Sequence, residues 1–339
     1  MIYSSSYIWS SFKYGNQFKY AFQQSIFLII GIILMIIFSK IDYNIYKKHA
    51  NTFLGICFFL LILVLIPGIG SVRNGSRSWF GILGFGFQPS ELSKIALIIF
   101  TSKYLSKNDN IKRNTFKFMG PILNIILVFF ILILLEPDFG TDMVIFISLI
   151  GLIFISGCDV SIFYKLGIIG IIGIIVLIII APYRMSRITS FLNPWSDPLG
   201  SGFQMIQSLY AIGPGGLLGF GFMNSRQKHF YLPEPQTDFI FSIITEEFGF
   251  IGSVTLILLF IILYYNLIKA AYLSKDLFGK YLIFGLSFLL IFQTLLNLSV
   301  VVGLVPITGV TLPFISYGGS SLLVSMISIG IVLNVSKNN

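Results

Sequence analysis

Charge is the scarce commodity in this chain. Only 10% of its 339 residues are Asp, Glu, Lys or Arg while 56% are hydrophobic; a soluble domain carries about 25% and about 45–50%. A soluble globular protein is thereby excluded, and so is intrinsic disorder, since apolar surface for burial is plentiful. Cysteine is nearly missing, and Cys57 and Cys158 both lie in apolar runs, which argues against a disulfide framework or a cysteine metal site. The net charge of +9 comes without a dense basic arm or stripe, so nucleic-acid binding finds no support. There is no Walker loop, HExxH, GxSxG or CxxC, which leaves ATPase, zinc protease and serine hydrolase without a motif. The first 19 residues hold no signal-peptide core. The alternating segments of about ten residues that build a membrane barrel are also absent.

What is present is long and apolar. Runs near the ~20 residues needed to cross a bilayer occur at about 20–39, 52–69, 90–105, 119–136, 142–158, 161–181, 239–267, 281–305 and 313–334. The chain therefore reads as an all-α polytopic membrane protein with about nine spans, one integral domain over 1–339. Basic residues orient it. Thirteen of the 22 (Lys40, Lys47, Lys48, Lys103, Lys107, Lys112, Arg113, Lys117, Lys165, Lys269, Lys275, Lys280, Lys337) fall on one side if the spans alternate. That side is the cytoplasm, which places the C-terminus inside and the N-terminus outside. The large external segment, 182–238, is broken by Asn193-Pro194, Asp197-Pro198 and Gly213-Pro214-Gly215-Gly216. Its apolar stretches 203–212 and 217–222 predict re-entrant or interfacial pieces rather than a free loop, in a segment containing short re-entrant or interfacial helices, since irregular backbone at membrane depth must be buried or line a wet cavity.

Ionisable groups beside spans are costly and mark sites. Arg77 precedes Gln88-Pro89-Ser90-Glu91-Leu92-Ser93-Lys94, where Glu91 and Lys94 stand one turn apart and can pair, as a simple helix-start salt bridge also would. Glu136-Pro137-Asp138 sets two acids at a proline-broken helix end, and a capping role explains Asp138 alone. Arg184 and Arg187 lie between aromatics, suited to phosphate or to plain headgroup anchoring. The densest group joins Arg226, Lys228, Glu234, Asp238, Glu246 and Glu247. Asp238 opens an apolar helix and so fits an N-cap. With cations before it and acids after it, it equally fits a general base acting on a hydroxyl beside an anionic leaving group. Ser316, in Pro313-Phe314-Ile315-Ser316-Tyr317-Gly318-Gly319-Ser320-Ser321, reads first as helix packing.

Taken in order, GSRSWF…FQPSELSK, EPDFGT, RMSRITSFLNPWSDPLGSGFQMIQSLYAIGPGGLLGFGF, SRQKHFYLPEPQTDFIFSIITEEFGFIG and GLVPITGVTLPFISYGGSS resemble the SEDS family (shape, elongation, division and sporulation), closer to its FtsW/SpoVE branch than to RodA. The resemblance implies a glycosyltransferase of the bacterial cytoplasmic membrane that polymerises lipid II into glycan strands at the outer face. It implies Asp238 as the catalytic residue, Glu91, Lys94 and Asp138 as site groups, and Arg77, Arg184, Arg187, Arg226 and Lys228 toward the diphosphate. Glu234, Glu246, Glu247 and Ser316 support them. No tightly bound cofactor is expected beyond a divalent cation (Mg or Mn) acting with the diphosphate. The expected partners are a class B penicillin-binding transpeptidase and division or sporulation membrane proteins. A lipid II flippase and a transpeptidase-recruiting scaffold are the alternatives. The family usually has ten spans, and Met1-Ile2-Tyr3-Ser4-Ser5-Ser6 resembles the end of the first, so one span is expected to be missing from this sequence.

Overall fold

The structure, a computed structural model, describes residues 1–73, 75–82, 85–107, 116–180 and 182–338, without the side chains of 82, 85, 116, 117, 174, 176–178, 180 and 182–184. Lys112 and Arg113 of the predicted inner side lie outside the described residues, as do the side chains of Lys117 and Arg184. The helices are α1 (Ile2–Tyr14), α2 (Lys19–Lys40), α3 (Tyr43–Leu65), α4 (Pro89–Lys107), α5 (Phe116–Leu135), α6 (Phe139–Ile155), α7 (Val160–Ile180), α8 (Pro182–Leu192), α9 (Phe203–Ile212), α10 (Ile240–Leu273), α11 (Leu277–Val301) and α12 (Gly319–Lys337). Each of the nine apolar runs read from the sequence emerges as a helix. Among the described residues, α2, α3, α5, α10, α11 and α12 contain stretches long and apolar enough to cross a membrane, and α6 and α7 supply shorter apolar ones. The protein is a multi-pass helical membrane protein.

Helix ends follow local chemistry. Asp42 caps α3 by accepting the Asn44 amide at 2.9 Å, so that helix starts well before residue 52. α1 closes on Gly15, whose φ of 66° suits a left-handed C-cap and whose amide donates to the Ser11 carbonyl. α12 starts at Gly319 rather than 313 because Pro313 and a turn with Phe314 at φ 65° precede it. The sequence reading contained no strands, yet β1 (Ser71–Arg73), β2 (Ser76–Ile82) and β3 (Phe85–Phe87) form an antiparallel meander. Val72 pairs with Arg77 and Phe80 with Phe87. Its aromatic and β-branched residues suit a pleated surface, but strands this short escape a search for membrane-length runs.

Two compact units divide the chain. The first comprises Met1–Ile26, Lys165–Leu263 and Gln293–Gly318; the second Phe27–Tyr164, Tyr264–Phe292 and Gly319–Asn339. In the second, α4 packs against α3, α6 and α12. α12 approaches α2 closely through Gly330, where a Cβ would stand 2.5 Å from the Met35 carbonyl oxygen. Small residues at such crossings substitute backbone proximity for the hydrophobic drive that lipid removes.

The first unit contains residues 182–238 of the predicted external segment and the start of α10. Residues 182–238 hold α8, a 3₁₀ turn at Pro194–Ser196, α9 and a second 3₁₀ turn at Gly213–Gly215, so that 203–212 forms a short helix while 217–222 is a loop. α10 is broken at Gly249, with φ 63° and ψ −159°. The freed carbonyls of Glu246 and Glu247 accept the amides of Phe220 and Gly221, both at 2.9 Å. The freed amides of Phe250 and Ile251 donate to Gly216 and Leu217 at 2.8 and 3.1 Å. One glycine-rich loop thus replaces the helical bonds that the break removes, as backbone within a membrane protein requires. A Cβ on Gly249 would lie 2.4 Å from the Gly219 amide nitrogen, so only glycine fits in both conformation and space. Gly249→Val should therefore lower stability by about 3 kcal/mol or more, combining backbone strain with lost hydrogen bonds. Gly55→Ala, in α3 with open space around it, should leave stability unchanged or slightly raised. Thermal unfolding of both variants in detergent measures the contrast.

Candidate active site

The break puts two acids to work inside the first unit. Glu246 turns back onto residues 225–228, accepting the Ser225 hydroxyl at 2.5 Å and the Arg226 amide at 2.8 Å, with the Gln227 amide at 3.3–3.4 Å. One carboxylate gathers three donors and fixes a turn. Glu247 accepts the Lys228 ammonium at 2.8 Å and the Ser4 hydroxyl of α1 at 2.5 Å, with neither member of the ion pair exposed. The Tyr7 ring lies 5.1 Å from that ammonium. Lys228 is an internal counter-charge held within the unit, which differs from the diphosphate-facing role expected of it. Removing one partner of such a pair leaves an uncompensated buried charge.

Asp238 stands just ahead of α10, on a backbone held at three consecutive carbonyls. Gln236 O accepts the Tyr317 amide at 2.8 Å, Thr237 O the Ser316 hydroxyl at 2.6 Å, and Asp238 O the Asn297 side-chain amide at 2.7 Å. Ser316, read first as packing, is therefore part of this clamp. The Asp238 carboxylate accepts the Thr237 hydroxyl at 2.9 Å. No bond ties it to the first amides of α10, so the N-cap alternative is not what the side chain does. Burial holds its pKa above the usual aspartate value; the Thr237 hydroxyl opposes, the Glu234 charge adds to the rise and Arg187 offsets part of it. Glu234 itself has φ 44°, strained backbone two residues ahead of the clamped Gln236 carbonyl. Arg187 is exposed and donates to the Ile307 carbonyl at 3.0 Å. Arg226 is exposed, its guanidinium 5.0 Å from the Phe220 ring. Arg184 lies on α8, its side chain outside the described residues.

The second unit assembles the other motifs. Glu91 and Lys94 pair at 2.7 Å on α4, both almost fully buried. Gln88, one residue before that helix, donates to Asp138 at 2.7 Å, and its amide donates to the Ser320 hydroxyl at 3.0 Å. Asp138 also caps α6 through the Thr141 amide at 3.2 Å. Asp138 is thus the cap of α6 and, at the same time, the acceptor of the Gln88 side chain. Arg77 sits partly exposed on β2. Glu136 is fully buried, with neither carboxyl oxygen hydrogen-bonded among the described residues, and burial, aided by the Asp138 charge, pushes its pKa to about 9. Its carbonyl accepts the Ser76 hydroxyl.

Sequence reasoning overlooked Ser4, Gln88 and Asn297. For Asn297 a signal was there: Gln293 and Asn297 are amides one turn apart inside an apolar run. Ser4 gave none, because its partner is 243 residues away.

Comparisons with known proteins now bear on this geometry. The chain matches, over residues 1–339, the family of FtsW, RodA and SpoVE described as "Cell cycle protein". It is 49% identical to "Stage V sporulation protein E" of Bacillus subtilis (strain 168), over 99% of this chain and 92% of that protein. It is 42% identical to the "Probable peptidoglycan glycosyltransferase FtsW" of Geobacter sp. (strain M18), with the same coverage. A chain solved in a peptidoglycan synthase complex that coordinates polymerization and crosslinking shares the fold with TM-score 0.77 at 32% identity, covering 94% of this chain and 90% of that one.

Glu136 supplies a test by linkage. Its folded pKa lies above its unfolded value, so its contribution to stability is full below about pH 4.5 and is lost as pH rises toward about 9. Glu136→Gln should therefore gain stability over the natural protein progressively from pH 5 to pH 9, then level off. Thermal unfolding across that range measures it, and a difference independent of pH would refute the buried, neutral carboxyl.

Proposed function

As a member of the FtsW/RodA/SpoVE family, this chain is, we infer, a peptidoglycan glycosyltransferase of the cytoplasmic membrane, acting on lipid II. Asp238 takes the proton from the acceptor sugar's hydroxyl as that oxygen attacks the donor's anomeric carbon. The new glycosidic bond forms with inversion as the bond to the polyprenyl diphosphate breaks, and the diphosphate leaves with the electron pair. Arg187 and Arg226, both exposed, are the cations suited to its growing charge. A divalent Mg or Mn ion would enter with the diphosphate, whose oxygens are hard ligands; among the described residues no three His, Cys, Asp or Glu side chains form a cage of their own. The observation that carries this reading is Asp238 itself, a carboxylate with a raised pKa on a backbone clamped at three carbonyls. A base poised nearer neutrality is the better proton acceptor.

The transport alternative asks buried charges to escort a headgroup through the bilayer. Here Glu91 with Lys94 and Glu247 with Lys228 are already matched to each other, which favours the enzyme. A transpeptidase of the class B penicillin-binding type is the partner we propose, because the similar synthase complex couples polymerization to crosslinking.

Purified protein with its transpeptidase partner, labelled lipid II and Mg should yield glycan ladders, and Asp238→Asn should lower the rate by about 10²-fold or more. The same variant should be more stable at neutral pH, since folding raises the Asp238 pKa and the natural charge costs stability once pH exceeds its ordinary value. Ladders of equal length and rate from both proteins would remove Asp238 as the base. For the natural enzyme, the acid limb of the pH–rate profile should lie above the ordinary Asp pKa of about 3.9.

A further inference from the structure

Asn297 stands on α11 inside the first unit, fully buried, and its amide nitrogen makes two bonds: to the Asp238 carbonyl at 2.7 Å and to the Val310 carbonyl at 2.8 Å. Its oxygen accepts no hydrogen bond among the described residues. A carboxamide kept for general polar satisfaction would use both ends; this one is spent as a donor, at the expense of an unsatisfied acceptor. One turn earlier, the Gln293 amide donates to the Thr311 carbonyl at 3.0 Å. Asn297 itself fixes residue 310, the first of the 310–318 stretch, against α11. That same stretch continues to Ser316 and Tyr317, which hold the carbonyls of Thr237 and Gln236. The hydroxyl of Ser316 is itself fixed by accepting the Leu312 amide at 2.8 Å. The Asn297 side chain bonds both the 310–318 stretch, at the Val310 carbonyl, and the residue bearing the carboxylate.

We propose that Asn297 is a positioning residue for the glycosyl transfer, registering the Asp238 backbone against α11 so that the carboxylate meets the acceptor hydroxyl. This rests on Asp238 being the base. Asn297 does not touch the reacting atoms; it acts through the peptide that carries Asp238. A base displaced by about 1 Å forfeits about 10²-fold in rate while substrate contacts elsewhere are unchanged, so the signature is a loss in kcat with KM preserved.

The experiment uses the full chain with its transpeptidase partner and labelled lipid II, comparing Asn297→Leu, Asn297→Asp, Gln293→Leu and Asp238→Asn. Both Asn297 variants should lose about 10²-fold in kcat, with KM within about twofold and, in the uncharged Asn297→Leu, the acid limb of the pH profile unmoved. Gln293→Leu removes a buried amide from the same helix without touching residues 236–238. It should keep kcat within about threefold while its unfolding temperature drops at least as far as that of Asn297→Leu. The proposal is overturned if Asn297→Leu keeps kcat within about threefold, if Gln293→Leu loses rate equally, or if the Asn297 losses lie in KM. Those results with an inactive Asp238→Asn overturn positioning alone; an active Asp238→Asn overturns the base assignment on which it rests.

Discussion

A helix in a membrane cannot leave its amides and carbonyls unpaired, and α10 breaks that rule at Gly249. Everything around the break follows from the repair. The 216–221 loop must lie against the helix to supply the missing bonds, which fixes this part of the 182–238 segment beside Glu246 and Glu247. Those acids then reach back to the next turn of chain. Glu246 collects the donors of residues 225–227, and Glu247 neutralises Lys228 while drawing in Ser4 of α1. The stretch from 228 to 238 is consequently tied at one end by an ion pair and at the other by the carbonyl clamp. Between two fixed ends, a short segment has little freedom left, and Asp238 inherits that rigidity.

The charges divide by fate. Lys94 and Lys228 are buried and matched by Glu91 and Glu247; their electrostatics are internal, offsetting the cost of burying either partner. Arg187 and Arg226 remain exposed, where an anion can reach them. Asp238 differs from the other acids of its unit. Glu246 accepts three donors and Glu247 two, one of them a buried ammonium, whereas Asp238 receives the Thr237 hydroxyl and has its backbone, not its carboxylate, held by α11 and the 310–318 stretch. Immobilising the peptide while sparing the carboxylate is what a proton acceptor needs, because its geometry is set before substrate arrives and its basicity is not spent on structure.

Much of this was legible in the residues. Apolar runs announced the helices, since membrane length leaves few alternatives, and the acid-rich motifs announced the site, since charge beside a span is rarely idle. The Gly249 break was not legible: Phe248-Gly249-Phe250 reads as an uninterrupted span, and its repair depends on a loop some thirty residues upstream. Lys228 misled for a related reason. Among Arg226, His229 and polar neighbours it looks like one more external cation, and only its pairing with Glu247, two residues ahead of the break, draws it inward. The meander at 71–87 escaped because three short strands carry no membrane-length signal. Asn297 gave a signal that went unread: an amide in an apolar run asks for a partner, and the partner was the Asp238 carbonyl.

The most direct test of Asp238 as the base is a structure of the Asp238→Asn enzyme with a lipid-linked disaccharide acceptor trapped in place. The side chain at 238 should lie at hydrogen-bonding distance, about 3 Å, from the attacking sugar hydroxyl, with the three carbonyl bonds at 236–238 intact. An acceptor hydroxyl seated against a different carboxylate, with residue 238 turned away, would contradict it.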